Sequence, residues 1–251
     1  MSILCYHAVQ RGWSSPMAVT PEAFGAQLDW LSRHRKVLPL AAVTSLLDRR
    51  GRPPRGTVAL TFDDGLSSLY DHALPALRRH SMPATVFLVA ETLTAQGRPV
   101  DWVRNPPVDP PLTTLTTEQV LEMQEVGVDF QSHSWAHRDL PGLADAELDR
   151  DLRESRLLLE QLLGRPVLAL AYPRGRHDER VRAAARRAGY AYAYALPERP
   201  EPSGPYSVPR VGVHLGNGPG AFRLKTQPAY VTARTSRAYA AVRRLRDSRT
   251  G

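Results

Sequence analysis

A chain of 251 residues, 42% hydrophobic and 23% charged, has the size and composition of one large folded domain, which excludes wholesale disorder. Its longest apolar runs, such as 84–90 (ATVFLVA), fall far short of the roughly 20 residues needed to span a bilayer as a helix. The formal net charge is +8, and 31 of the 33 basic residues are arginine; this permits anionic partners and equally describes a solvated basic surface. The single cysteine, Cys5, excludes an internal disulfide and a zinc–thiolate cluster, so any metal site must use His, Asp and Glu.

The first residues, MSILCYHAVQRG, carry no basic segment followed by an apolar stretch and a cleavage site, so no signal peptide is expected. The run 2–6 (SILCY) predicts a strand. Thr20-Pro21 then reads as a helix cap and first helical residue, with Phe24, Leu28 and Leu31 at helical spacing. A strand at 57–62 (TVALTF) precedes a stripe of Leu66, Leu69, Ala73 and Leu77, and a strand is predicted at 84–90. Residues 97–116, rich in proline, read as a loop. Val120 and Met123 mark a helix stopped by Gly127, followed by a strand at 128–132. Leu148, Leu152, Leu159 and Leu162 precede Gly164 and a strand at 167–172. Val181, Ala184, Ala185 and Ala188 precede Gly189 and a strand at 190–194. Residues 197–206 read as a loop, 207–213 (SVPRVGV) as a strand, and 217–226 as a further loop. About seven alternating strand and helix units imply an α/β domain with a parallel sheet, closed or nearly closed into a barrel. Chemistry is then expected in the loops after the strands.

Two such loops carry clustered functional groups. Thr61-Phe62-Asp63-Asp64-Gly65 follows the 57–60 run. Adjacent carboxylates repel, and a cation relieves that repulsion while leaving one carboxylate free as a base. His133-Ser134-Trp135-Ala136-His137 follows the 128–132 run, and histidines four apart on one helical turn can grip one metal. Each has an ordinary reading by itself, an Asp-Gly turn or two surface histidines. Together they supply one Asp and two His, a hydrolytic metal site with an open position.

On these motifs the chain resembles the polysaccharide deacetylases of carbohydrate esterase family 4, the nodulation-deacetylase homology group. TFDDG and HSWAH match that family's first two motifs. LCYHAV at 4–9, ALPALRRHSMPATVFL at 73–88, LLLEQLLGRPVLALAYPRG at 157–175, AGYAYAYA at 188–195 and PYSVPRVGV at 205–213 extend the likeness over roughly residues 1–215. The resemblance implies a distorted (β/α)7-type barrel and metal-dependent removal of an acyl group, usually acetyl, from an N-acetylated sugar or glycan. It makes Asp63 the catalytic base and Asp64, His133 and His137 the metal ligands. The metal it implies is a divalent ion, zinc by default for two His and one Asp, with cobalt, nickel or manganese as alternatives.

The third motif, commonly Arg-x-Pro-Tyr, reads Ala171-Tyr172-Pro173-Arg174 here. Tyr172, Pro173 and Arg174 are thereby similar to the substrate and oxyanion segment, with the N–H at 174 as the oxyanion donor. The missing arginine needs a substitute. Arg210 is the candidate, because Pro-Arg-hydrophobic-x-Val resembles the poly-N-acetylglucosamine deacetylase branch. In that branch the general acid comes from an early Tyr-His-x-Val segment, which here makes His7 the acid in preference to the late His214. His34, His72 and His80 read as structural; His177 is placed to line the cleft.

The domain reading is a catalytic barrel over 1–226 and a basic amphipathic helix over 227–251. Val231, Thr235, Ala238, Val242 and Leu245 form the apolar stripe of that helix, and Arg234, Arg237, Arg243, Arg244 and Arg246 its basic face. It is expected to dock on the barrel or to touch an anionic membrane surface. The expected location is the cytoplasm, with the inner membrane face as a peripheral station. The expected partner is an N-acetylated glycan; no nucleic acid is expected, because no aromatic–basic platform accompanies the charge. The alternative substrate class is a smaller amide, imide or formamide, such as an amino-glycoside or natural-product intermediate.

Overall fold

The computed structural model of the protein describes residues 2–50, 55–103, 105–107, 111–197, 204–236 and 238–239, with backbone only at 47–50. The elements in chain order are β1 (Ser2–Tyr6), β2 (Ala8–Val9), β3 (Ala18–Val19), α1 (Pro21–His34), β4 (Lys36–Val37), α2 (Leu40–Arg50) and β5 (Thr57–Phe62). Then follow α3 (Leu74–Arg79), β6 (Thr85–Leu88), α4 (Thr117–Glu125), β7 (Asp129–Ser132), α5 (Asp145–Leu163) and β8 (Ala169–Ala171). The chain continues with α6 (Glu179–Arg187), β9 (Tyr192–Ala195), β10 (Val208–Pro209), β11 (Val211–Gly212), α7 (Pro219–Lys225) and α8 (Pro228–Arg234).

The main sheet is parallel, in the order β10-β9-β8-β7-β6-β5-β1-β11, with β4 on the flank of β5. Its two ends are stitched by one segment. β10 pairs with β9, β11 pairs with β1, and only Arg210 separates them. The Arg210 N–H donates to the Ala195 carbonyl at 2.9 Å, and the Val213 N–H to the Cys5 carbonyl at 2.8 Å. Counting β10–β11 as one stave, the described residues form a seven-stave barrel, nearly closed. Every residue of β1 and β5 is buried, because a parallel barrel covers one strand face with helices and fills the other with side chains. Tyr6, Phe24 and Phe62 pack ring against ring between β1, β5 and α1, with centroids 5.3–5.8 Å apart. That places a rigid wall behind the strand ends that carry Asp63 and His7.

Local signals act as expected at many ends. The Thr20 hydroxyl accepts the Ala23 N–H, and Thr116 with Gln119 forms a reciprocal cap on α4. Three expectations are corrected. Residues 217–226 are not a loop: Pro219–Lys225 is helical, with Pro219 at its first turn and Phe222 buried in the core. The Leu66 stripe is not one helix. Leu66 bridges Thr114, Leu69–Ala73 is a π-helical turn, and only Leu74 onward is α-helical. The His133–His137 segment is not a helical turn either. The strand ends at Ser132, and Ser134 and His137 take left-handed φ values of 72° and 52°. Of the terminal segment, α8 ends at Arg234, Thr235–Ser236 form a turn, and 238–239 are helical. Val242, Leu245, Arg237, Arg243, Arg244 and Arg246 lie outside the described residues. Tyr230 and Val231 pack against the barrel core. No helix of the described residues is long and apolar enough to cross a membrane.

Candidate active site

The loops leaving β1, β5, β7 and β8 converge at one end of the barrel. Asp63 directly follows β5, and its N–H donates to the Tyr6 carbonyl at 2.9 Å. The chain then turns sharply: Asp64 has φ 70° and Gly65 φ 63°. The backbone angle favours glycine at 65, and a Cβ there would stand 2.6 Å from Leu88 Cδ2 and have to push that side chain aside. Of the six non-glycine residues at positive φ among the described residues, Asp64, Ser134, His137 and Arg174 all belong to this end of the barrel. Strained backbone of this kind collects where side chains must be aimed against local preference.

Asp63 is 2% exposed and gripped from both sides by the Arg210 guanidinium, with Nη1 to Oδ1 at 2.6 Å and Nη2 to Oδ2 at 2.7 Å. The Cys5 thiol lies 3.3 Å from Oδ2. Burial alone would push the Asp63 carboxyl up, but the Arg210 charge outweighs it and holds the group below its ordinary range, with His133 adding to the pull. Asp63 is therefore ionised at neutral pH, and Arg210 is locked as the cation.

Asp64 shows the opposite balance. Burial and the neighbouring charge on Asp63 push it up to about 7. Its Oδ1 lies 3.6 Å from His133 Nε2 and 3.4 Å from His137 Nε2 and accepts the Trp102 indole N–H at 3.2 Å. Its Oδ2 is buried with no hydrogen-bond partner. His133 is oriented by Nδ1 against the Ala171 carbonyl at 2.8 Å. His137 is stacked on Trp102 with centroids 5.0 Å apart, and its N–H donates to Ser134 Oγ. Burial pushes both imidazoles toward the neutral form, His137 to about 2. Neutral imidazoles and an orphaned buried carboxylate oxygen form a donor set suited to a cation, and one ligand atom of each of Asp64, His133 and His137 lies within 4.8 Å of the others. The residues fit a divalent metal ion.

His7 follows β1 and stands beside this set rather than in it. One of its ring nitrogens lies within 4.8 Å of an Asp63 carboxylate oxygen, and its Nδ1 is buried and unpartnered. Burial drives it down to about 4 against the opposing pull of Asp63. His7, His137, Trp102 and Arg174 line a cleft of about 760 Å³, together with Trp13 and Met17. Tyr172 and Pro173 do not line it. Tyr172 is buried, its hydroxyl donating to the Tyr206 carbonyl at 3.0 Å and its ring stacked on His177. The two residues shape the turn that presents Arg174, which is exposed at φ 58°. His177 is buried behind that turn rather than in the cleft. His214 is absent from the cleft wall, and its Nδ1 faces the Pro16 carbonyl at 3.0 Å.

Sequence reasoning missed Trp102, which touches two members of the donor set from within the proline-rich 97–116 stretch. It also missed Asp151, whose Oδ1 accepts the Trp135 N–H at 2.9 Å and fixes the loop between the two histidines. A lone tryptophan in a loop and a carboxylate on a helix face carry no spacing signal.

Comparison with known proteins decides the family. The polysaccharide deacetylase model matches residues 50–193, more than half of the chain. The chain belongs to the polysaccharide deacetylase family. It is thereby a hydrolase of the carbohydrate esterase kind. YxkH of Bacillus subtilis is 27% identical over 230 residues, covering 88% of this chain and 74% of that protein. The poly-β-1,6-N-acetyl-D-glucosamine N-deacetylase of Staphylococcus epidermidis is 29% identical over 208 residues, covering 77% of this chain and 67% of that one. Among solved structures, the Streptococcus pyogenes deacetylase PplD in complex with acetate superposes with a TM-score of 0.77 at 25% identity, over 91% of this chain and 98% of that chain.

Proposed function

We propose that this family member removes the N-acetyl group from an N-acetylated amino sugar within a glycan, with a divalent ion held by Asp64, His133 and His137. The carrying observation is the division of labour between two adjacent buried carboxylates. Arg210 keeps Asp63 ionised and free, while Asp64 is left with an orphan oxygen among two neutral imidazoles. The acetate complex of the Streptococcus pyogenes deacetylase and the named substrate of the Staphylococcus epidermidis relative support the acyl group and the sugar. Zinc suits one carboxylate and two imidazoles; cobalt, nickel and manganese are the competing occupants.

When bound, such an ion polarises the amide carbonyl and makes water acidic enough to attack near neutral pH. Asp63 accepts the proton of the attacking water, and the fork of Arg210 fixes its orientation. The backbone N–H of Arg174, presented by the strained turn after Ala171, is the donor assigned to the developing oxyanion. His7 delivers a proton to the departing nitrogen. Because His7 stands within 4.8 Å of Asp63, the proton collected by the base has a short path to the leaving group. The products are a free amine and acetate.

Acetate release from a panel of N-acetylated oligosaccharides tests this reading, with Asp63→Asn as the control and with chelation followed by metal re-addition. Release that survives chelation, or that is absent from every N-acetylated glycan, refutes it.

A further inference from the structure

A second cavity, of about 200 Å³, shares Arg174 with the cleft as a wall residue. Its wall holds Arg174, Arg210, Lys225 and Arg234 with His214 and Tyr230, and no carboxylate among the described residues. Arg210 is 2% exposed, and although its two terminal nitrogens hold Asp63, its Nε is buried without a partner. Lys225 is 7% exposed and gives two of its three N–H donors to the Gly212 carbonyl and Asn217 Oδ1, at 2.5 and 2.6 Å. Arg234 donates to the Tyr239 hydroxyl at 2.9 Å. No ion pair with Arg174, Lys225 or Arg234 occurs among the described residues. Burial and the charge of Arg234 push the Lys225 ammonium down to about 8. The charge of Arg210 is met by Asp63, but Arg174, Lys225 and Arg234 gather beside it with no carboxylate among the described wall residues, which costs free energy that a bound anion recovers.

We propose that this cavity is an anion-binding subsite, taking a phosphate ester or similar singly or doubly charged group carried by the substrate next to the sugar that is deacetylated. Arg174 borders both spaces, so a group in the cavity and an acetamido group in the cleft can belong to one molecule. A 200 Å³ space admits one phosphoryl group and little more. This rests on the deacetylase reading for the substrate, whereas anion binding itself does not.

Two measurements on the metal-loaded full chain separate these claims. Calorimetric titration with inorganic phosphate is expected to show one site, weakened about tenfold or more by Arg234→Gln and by Lys225→Gln, each of which removes one charge-assisted contact. Thermal melting confirms that each variant is folded, and Arg234→Gln leaves the Lys225 bonds intact if Lys225→Gln is not. Second, kcat/KM is compared between a neutral N-acetylglucosamine oligosaccharide and the same oligosaccharide bearing a phosphate ester. The phosphorylated one is expected to be preferred, and Arg234→Gln to abolish that preference while leaving the neutral substrate unchanged. No phosphate binding, or binding untouched by both variants (as for phosphate on the metal alone), overturns the site. Binding without any substrate preference overturns its role as a substrate subsite. Variant-sensitive phosphate binding in a protein that deacetylates no glycan leaves the anion site standing and refutes the deacetylase reading instead.

Discussion

Replacing Arg210 by methionine isolates the interaction on which Asp63, the proposed base, depends. The guanidinium and the Asp63 carboxylate are both buried and joined by two bonds of 2.6 and 2.7 Å, so neither can turn to water when its partner is lost. At an effective dielectric of about 20 and charge centres about 4 Å apart, their attraction is about 4 kcal/mol. That corresponds to an alkaline displacement of the base's titration by roughly three pH units. Burial then acts on Asp63 unopposed, and the carboxyl moves from below its ordinary range to above it. In the wild type, a carboxyl with a depressed pKa contributes stability at neutral pH that is lost as pH falls through the folded value. In Arg210→Met the sign reverses, because the native state now binds the proton more tightly than the unfolded chain does, and stability falls as pH rises.

Two assays read this. The acid limb of the pH–rate profile is expected to move alkaline by roughly two to three pH units, with turnover at neutral pH falling accordingly. Urea unfolding is expected to show a loss of about 3–5 kcal/mol at pH 8 and a smaller loss at pH 5. Asp63→Asn in the Arg210→Met background removes the stranded charge and should recover part of the stability, although not the activity. Arg210→Lys keeps the charge but not the fork and should fall between. A methionine variant with the wild-type acid limb and the wild-type pH dependence of unfolding would refute the claim that Arg210 sets the ionisation of the base.

Asp64→Asn is expected to weaken metal binding, while Asp63→Asn retains metal and loses roughly 10²–10⁴-fold in turnover; metal content and steady-state rates check both. His7→Ala should cripple turnover on a neutral N-acetylated oligosaccharide at unchanged metal content, whereas His214→Ala should cost far less; the reverse result would return the acid to the late histidine. Gly65→Ala places a Cβ 2.6 Å from Leu88 Cδ2 at φ 63° and should cost about 1–3 kcal/mol in unfolding free energy, with weaker metal binding because Asp64 is its neighbour. Asp151 is pushed up to about 6 by burial from an ordinary 3.8, so its contribution to stability is complete below pH 3.8 and lost as pH rises through about 6. Asp151→Asn keeps an acceptor for the Trp135 N–H and should flatten that step in a series of unfolding curves from pH 3 to pH 8.

The reach of the sequence into this molecule follows the range of the forces involved. Strands such as Ser2–Tyr6 and Thr57–Phe62 were legible because burial on both faces leaves an unbroken apolar run. The α1 start was legible because Thr20 caps it within three residues. Asp63, Asp64, His133 and His137 were legible because clustered titratable groups at strand ends are costly without a purpose. The geometry of the His133–His137 loop was not. Its left-handed turns depend on contacts with Ser132, Ser134 and Asp151, which override the helical reading of an i, i+4 pair. The helix over Pro219–Lys225 was hidden in the same way. Gly216, Gly218 and Gly220 argue for a loop, and only the burial of Phe222 against the barrel makes the helix worthwhile.

Arg210 shows how a departure from a motif becomes physically intelligible. Position 171 carries alanine where the commoner pattern has the base-orienting arginine, and Ala171 has no side chain to reach Asp63. It packs inside the barrel in one cluster with Phe87 and Tyr194, and the Arg210 guanidinium lies 5.0 Å above the Phe87 ring. The guanidinium thus arrives from the strand that closes the barrel, 147 residues from its partner. That segment must pass between Ala195 and Cys5 for the sheet ends to meet, so its register is fixed by backbone pairing on both sides. A one-residue slip would turn Arg210 to the opposite face and strand Asp63 as a buried charge. Barrel closure and ionisation of Asp63, the proposed base, are therefore one constraint, which predicts that substitutions disrupting the β10–β11 pairing shift the acid limb of the pH–rate profile even though they touch neither Asp63 nor Arg210.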